Sequence, residues 1–180
     1  MRFEYTFSIP VLSADIQSFI QKPTHDEYHP ASIAKKSMGF IQQAAKRETI
    51  KFPFLFEEVL QELIENCYDS YAKKGLVIGK TLRITLIIQK NDSQFLVKLK
   101  DNGSGFFHQE KGKYFWVASV KPEHKEQKKF NGGEGVGLRS IQAELNKAAI
   151  GLFFKNRKKA GATAYLAFPN DSSTIHKQSK

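Results

Sequence analysis

"KLKDNGSGF" (Lys98–Phe106) decides how the rest of this chain is read. It continues from "FLVKLK", whose Phe95, Val97 and Leu99 alternate with other residues as on a strand with one buried face. Asp101 therefore stands where a strand ends, as an acceptor-only carboxylate. Gly103 and Gly105 behind it permit a tight turn with close backbone approach. An ordinary turn in which Asp101 bonds its own backbone accounts for this stretch equally well. The segments on either side decide between a turn and a site.

Upstream lies "FEEVLQELIENCYDSYAKKG" (Phe56–Gly75). Phe56, Leu60, Leu63, Cys67 and Tyr71 follow helical spacing and belong to a core. Glu62, Asn66 and Asp69 form a second stripe, because residues three and four apart share a helix face. Such a stripe is ordinary solvated surface in many helices. It also suits chemistry: a carboxamide oxygen is a ligand for Mg²⁺, which keeps several waters. A carboxylate one turn away can polarise a water or a hydroxyl. Downstream, "GGEGVGLRSI" (Gly132–Ile141) places Gly133, Gly135 and Gly137 at alternate positions before a helical pattern of Val136, Leu138, Ile141 and Leu145. A helix start behind glycines offers free N–H donors to an anion, and a flexible turn before a helix reads the same way.

The remaining elements follow from periodicity. Phe3, Tyr5, Phe7 and Ile9 oppose Arg2, Glu4, Thr6 and Ser8 in a half-buried strand. "QKPTHDEYHP" (Gln21–Pro30) is a loop, and Ala31–Arg47 is a helix carrying Ile33, Met38, Ile41 and Ala45. Pro53 suits a first helical turn, and Gly75 closes the helix that runs to about Lys73. "TLRITLIIQ" (Thr81–Gln89) turns through "KNDS" into the strand before Asp101. "AIGLFFK" (Ala149–Lys155) and "ATAYLAF" (Ala162–Phe168) pair around Gly161. Between Phe107 and the glycines runs a basic stretch without periodicity. Three helices on a mainly antiparallel, mixed sheet make an α/β two-layer sandwich. Residues 1–53 are expected to integrate with a core at 54–169, followed by a disordered tail at 170–180.

The chain has 180 residues, 41% of them hydrophobic and 15 of them Phe, which suffices for one core. A lone Cys67 excludes an internal disulfide. The N-terminus lacks the apolar run of a signal peptide, and no stretch reaches the roughly 20 apolar residues of a membrane span. A soluble, cytoplasmic protein without membrane insertion is the expectation. A formal charge of +10 points to anionic partners. The lysine clusters lack the regularly interleaved aromatics used to stack single strands, so nucleic acid is the least favoured of these.

Taken together and in order, "ELIENCYDSY", "DNGSGF" and "GGEGVGL" resemble the N, G1 and G2 boxes of the GHKL ATPase superfamily, that is, gyrase, heat-shock chaperones, histidine kinases and mismatch-repair ATPases. "GATAYLAFP" (Gly161–Pro169) resembles that family's last strand. The resemblance spans about Phe54 to Pro169. It implies a Bergerat ATP-binding fold with ATP and Mg²⁺ as cofactors. By the same resemblance Asp101 accepts from the adenine amino group, backed by Gly103, Gly105 and, through water, Thr163. Asn66, with Asp69 nearby, holds Mg²⁺ against the triphosphate, and Glu62 is the catalytic base. Gly133, Gly135, Val136, Gly137 and Leu138 wrap the phosphates, and the basic stretch, about 106–131, is a mobile lid. A Walker loop would need Gly-Lys-Ser/Thr, and a dinucleotide fingerprint a strand immediately upstream; neither is present.

The branch is less uniform. Asp69 stands where histidine kinases carry a basic residue, and with Glu62 it looks like the gyrase and chaperone branch. That branch uses a second domain, for which 180 residues leave no room. "GVGLRSIQAEL" looks more like a sensor kinase or an anti-sigma-type serine kinase, although "YFWVASV" only loosely stands in for the kinase Phe-rich box. "HDEYHP" (His25–Pro30) loosely resembles a phosphoacceptor box, but a loop histidine is the better reading of His25. The expectation is a Mg-ATP-dependent signalling kinase acting in trans on a protein partner. A low-turnover ATPase switch and a serine kinase are the alternatives, a nucleic-acid module the least favoured, and a homodimer stays open.

Overall fold

The computed structural model describes residues 1–15, 18–19, 25–46, 50–91, 94–105, 107–110, 113–116, 119–120, 136–157 and 161–169; for 107–110, 113–116, 119–120 and 136–140 it describes backbone alone. Eight strands and three helices are present among these: β1 (Arg2–Pro10), α1 (Pro30–Ala45), α2 (Phe56–Lys73), β2 (Thr81–Lys90), β3 (Gln94–Asp101), β4 (Phe107–Glu110), β5 (Lys113–Trp116), β6 (Ser119–Val120), α3 (Val136–Lys147), β7 (Gly151–Asn156) and β8 (Ala162–Pro169). Six strands form one sheet in the order β1-β2-β3-β8-β7-β6. Every described pairing is antiparallel, so the mixed sheet that was expected has no parallel pair among the described residues.

The sheet's inner face carries Leu82, Ile84, Leu86, Ile88, Phe95, Val97 and Leu99, all buried. They pack with Ile33 and Ile41 of α1, Phe56, Leu60, Leu63 and Cys67 of α2, and Leu145 of α3 in a single core. Helices on one face of an antiparallel sheet complete the two-layer sandwich. An aromatic cluster closes one end: Phe168 meets Phe52, Phe56 and Phe95 edge-on, at centroid distances of 5.4, 5.4 and 5.7 Å. At the sheet's edge Tyr5 stacks on Phe40 at 3.8 Å.

Local signals place the helix ends. His29 caps α1 by accepting from the Ala31 N–H at 3.3 Å, and Pro30 takes the first turn. His25 precedes a short 3₁₀ turn (Asp26–Tyr28) and lies edge-on to Tyr28. The buried Tyr68 hydroxyl donates to the Tyr28 carbonyl and ties this turn to α2. Helix α2 begins at Phe56, whose N–H donates to the Pro53 carbonyl at 3.1 Å, and it gives way to Gly75 at φ +95.

The stretch expected to be irregular is in part strand. β4 and β5 pair with each other in a separate two-stranded sheet, Phe107 opposite Trp116. β6 joins the main sheet, with Ser119 opposite Lys155. The aromatic residues of "KYFW" favour a strand, and the Lys-Gly-Lys before them hid the pattern. The rest of the expected lid, and the tail expected at 170–180, lie outside the described residues.

Candidate functional site

The site is built where β3 runs out against α2. Asp101 ends β3 opposite Ile84, on the face that the helices cover, and is 5% exposed. Backbone groups hold both carboxylate oxygens. The Gly103 N–H donates to Oδ1 at 2.7 Å, and the Ala162 N–H donates to Oδ2 at 3.1 Å. Burial pushes the carboxyl up to about 6, against the opposing pull of these two donors and of the Arg157 guanidinium. Arg157 Nη1 also donates to the Asp101 carbonyl at 2.9 Å. A carboxylate offers about four lone-pair directions, and the two backbone donors take two of them. The group is thus an oriented, buried acceptor with capacity for another donor.

Glycines let three backbones meet around it. A side chain at Gly103 would collide with Ser70 and with the Asp101 carboxylate. Gly161 has φ +73, and a Cβ there would run into the Asp101 carbonyl. The loop is pinned from two further sides. The Asn102 side chain accepts from the Arg83 N–H at 2.8 Å and donates to the Thr81 carbonyl at 3.0 Å, which fastens it to β2. On α2, the Ser70 carbonyl accepts from the Ser104 N–H at 3.0 Å, and its hydroxyl accepts from the Gly105 N–H at 3.3 Å.

Ser70 lies one turn beyond Asn66, so the loop docks at the end of the polar stripe. Glu62, Asn66 and Asp69 are all half-buried on α2. Asn66 Nδ2 donates to the Glu62 carbonyl at 2.6 Å, which fixes the carboxamide's orientation. The structure therefore docks the loop of Asp101, Gly103 and Gly105 on α2 at Ser70, one turn beyond Asn66. Val136, Gly137 and Leu138 form the start of α3, whose first N–H groups have no partner within the helix; Gly133 and Gly135 lie outside the described residues. Among the described residues, no three His, Cys, Asp or Glu side chains group as a metal centre.

Thr163 does not join this site. It is in register with Lys100 on β3 and Lys155 on β7. Side chains alternate across a strand, so Thr163 shares the outer face with those lysines. Ala162 takes the position beside Asp101, and it contributes a backbone N–H rather than a hydroxyl. A shift of one residue reverses the face, and "GATAY" offers a single hydroxyl at the wrong parity.

Sequence reasoning missed Ser70, Asn102, Asn156, Arg157 and the Ala162 N–H. Ser70 was within reach, being four residues beyond Asn66 on the same stripe. Asn102 sits inside the "DNGSGF" motif. Asn156 and Arg157 carry no local signal, because pairing of β7 with β8 is what brings Arg157 to Asp101 and Asn156 against Gly105.

A family model described as "Histidine kinase-, DNA gyrase B-, and HSP90-like ATPase" matches residues 54–152. No curated protein matches the chain.

Proposed function

Because the chain belongs to the histidine kinase-, DNA gyrase B- and HSP90-like ATPases, we propose that it binds ATP at Asp101 and transfers the γ-phosphoryl group to an acceptor on a partner protein. The observation that carries this reading is the Asp101 cradle: a buried carboxylate oriented by the Gly103 and Ala162 N–H groups. An adenine amino group is a donor that fits its remaining lone pairs. Gly133 to Leu138 would receive the phosphates, ahead of the N–H donors of α3.

The residues present suit Mg²⁺ as well. Asn66 offers one neutral carboxamide oxygen on a fixed side chain, and Mg²⁺ in nucleotide sites takes few protein ligands besides phosphates and water. When bound, the ion would neutralise charge on the phosphates. Where the acceptor is a hydroxyl, Glu62, one turn before Asn66, would take its proton. The acceptor oxygen bonds to the γ-phosphorus as the bond to the β-phosphate oxygen breaks, and ADP leaves. The same carboxylate beside Asn66 favours a second reading, a low-turnover ATPase in which water is the acceptor.

Incubation with γ-labelled ATP, Mg²⁺ and host lysate separates these outcomes. Acid-labile label on protein marks phospho-His, acid-stable label marks phospho-Ser or phospho-Thr, and free phosphate alone marks an ATPase. Absence of ATP binding by calorimetry would overturn the assignment.

A further inference from the structure

Opposite the helices, the sheet presents an outer face that no described helix covers. Strand register arranges its side chains in rows. One row runs Lys100, Thr163, Lys155, and the next runs Lys98, Tyr165, Phe153. The rows are about 7 Å apart, two residues along a strand, and the end lysines of the first are about 10 Å apart, two strand spacings. Phe153 stacks on Tyr165 at 4.5 Å with the rings 7° from parallel, and is 43% exposed. Lys98 Nζ lies 5.5 Å from the Tyr165 ring centroid and donates to Gln89 Oε1 at 2.9 Å. Beyond the rings, Gly151 stands directly opposite Ala167. A Cβ at Gly151 would meet nothing nearer than Ala167 at 3.7 Å. A flat shelf therefore adjoins the aromatic pair.

Charge on this face is one-sided. Arg2, Arg83, Lys98, Lys100 and Lys155 share it, whereas on β1, β2, β3, β7 and β8 its acid is Glu4, already paired with Arg2 at 2.8 Å. Burial, with Lys100 and Arg2 nearby, holds the Lys98 ammonium below the usual lysine range.

We propose that this open sheet face binds single-stranded nucleic acid, its phosphates on the Lys100–Lys155 row and a base on the shelf against Phe153. A poly-anion answers the excess of cations, and counterion release favours its binding. A planar base answers what charge does not explain, an exposed ring beside a Gly151–Ala167 shelf that carries only a methyl group, since base–aromatic stacking is indifferent to sequence. A duplex keeps its bases stacked inside and cannot use that shelf. A merely acidic protein surface would satisfy the lysines without engaging Phe153. Phe153 and Lys155 are two residues apart on β7, and β3-β8-β7 pairing sets Tyr165, Lys98 and Lys100 beside them.

The test is fluorescence anisotropy with a short labelled oligothymidylate, using wild type, Phe153→Ala and the double variant Lys100→Glu/Lys155→Glu. These side chains lie away from the Asp101 side of the sheet, so ATP affinity serves as the control for folding. Wild type should bind with Kd of about 10⁻⁴ to 10⁻⁶ M, weakening about tenfold between roughly 50 and 200 mM salt. Phe153→Ala should weaken binding by about fivefold or more, the lower end of single-base stacking, and the charge reversal by about tenfold. Each variant should bind ATP normally. The proposal falls if wild type does not bind the strand, or if Phe153→Ala binds it unchanged. It falls equally if duplex DNA or polyglutamate binds as tightly as the single strand.

Discussion

Replacing Asp101 by Asn tests the centre of the site, because burial and hydrogen bonding there act in opposite directions. In the folded chain the carboxyl rises from 3.8 to about 6. At about 1.4 kcal/mol per pH unit, the difference amounts to about 3 kcal/mol. A raised pKa means that the native state holds the proton more tightly than the unfolded chain does. The resulting stabilisation is complete below about pH 4 and is lost as pH rises through about 6. Asn does not titrate and escapes this loss. It has one acceptor oxygen, however, for the two N–H donors of Gly103 and Ala162. Facing one of them with an NH₂ group costs about 1–3 kcal/mol. At neutral pH the two effects nearly offset, so Asp101→Asn should fold with little change in stability. Urea unfolding from pH 4 to 8 should show the variant gaining on wild type by about 3 kcal/mol across that range. ATP binding should be abolished in the variant. In wild type it should weaken roughly fivefold from pH 6 to pH 5, as the acceptor becomes protonated. If the stability difference between the two proteins is flat with pH, the buried carboxylate described above is wrong. If the variant binds ATP as well as wild type, Asp101 does not read adenine.

Three further substitutions probe other parts. Glu62→Gln should leave ATP affinity unchanged and lower turnover by about 10²- to 10⁴-fold, while Asn66→Ala should weaken Mg²⁺-dependent binding itself; paired calorimetry and turnover measurements distinguish them, and normal turnover in Glu62→Gln removes its catalytic role. Gly161→Ala places a Cβ against the Asp101 carbonyl at φ +73, so it should destabilise by at least about 2 kcal/mol and loosen ATP binding with it; a thermal midpoint equal to wild type contradicts this packing. Phe168→Ala empties the centre of the aromatic cluster and should cost about 3–5 kcal/mol in urea unfolding while ATP affinity at the distant Asp101 changes little.

Much of the site was legible because its parts are local. Asn66, Asp101 and the glycines near it lie in short segments whose periodicity states which element they terminate or face. The helix stripe needs no more than the 3.6-residue repeat, and Asp101 declares itself by ending an alternating strand before glycines. The parts that escaped are contributed across the fold. Arg157 and the Ala162 N–H reach Asp101, and Asn156 reaches Gly105, only because β7 and β8 return beside β3. Thr163 shows the limit from the other side: motif spacing alone left its parity open, and parity depends on register.

By itself, the sequence determined the sandwich, the three helices set out above among the described residues and the order of most strands along the chain. Hydrophobic period, caps and glycines act within a few residues, so they can be read from the chain without knowing what lies opposite. The tertiary structure alone decided which strands became neighbours, that Asp101 is buried enough to titrate near 6, that Thr163 is buried on the face opposite Asp101, and that lysines and aromatics from three strands share that outer face. Those properties are set by register and burial between segments distant along the chain, where a displacement of one residue exchanges one face of the sheet for the other.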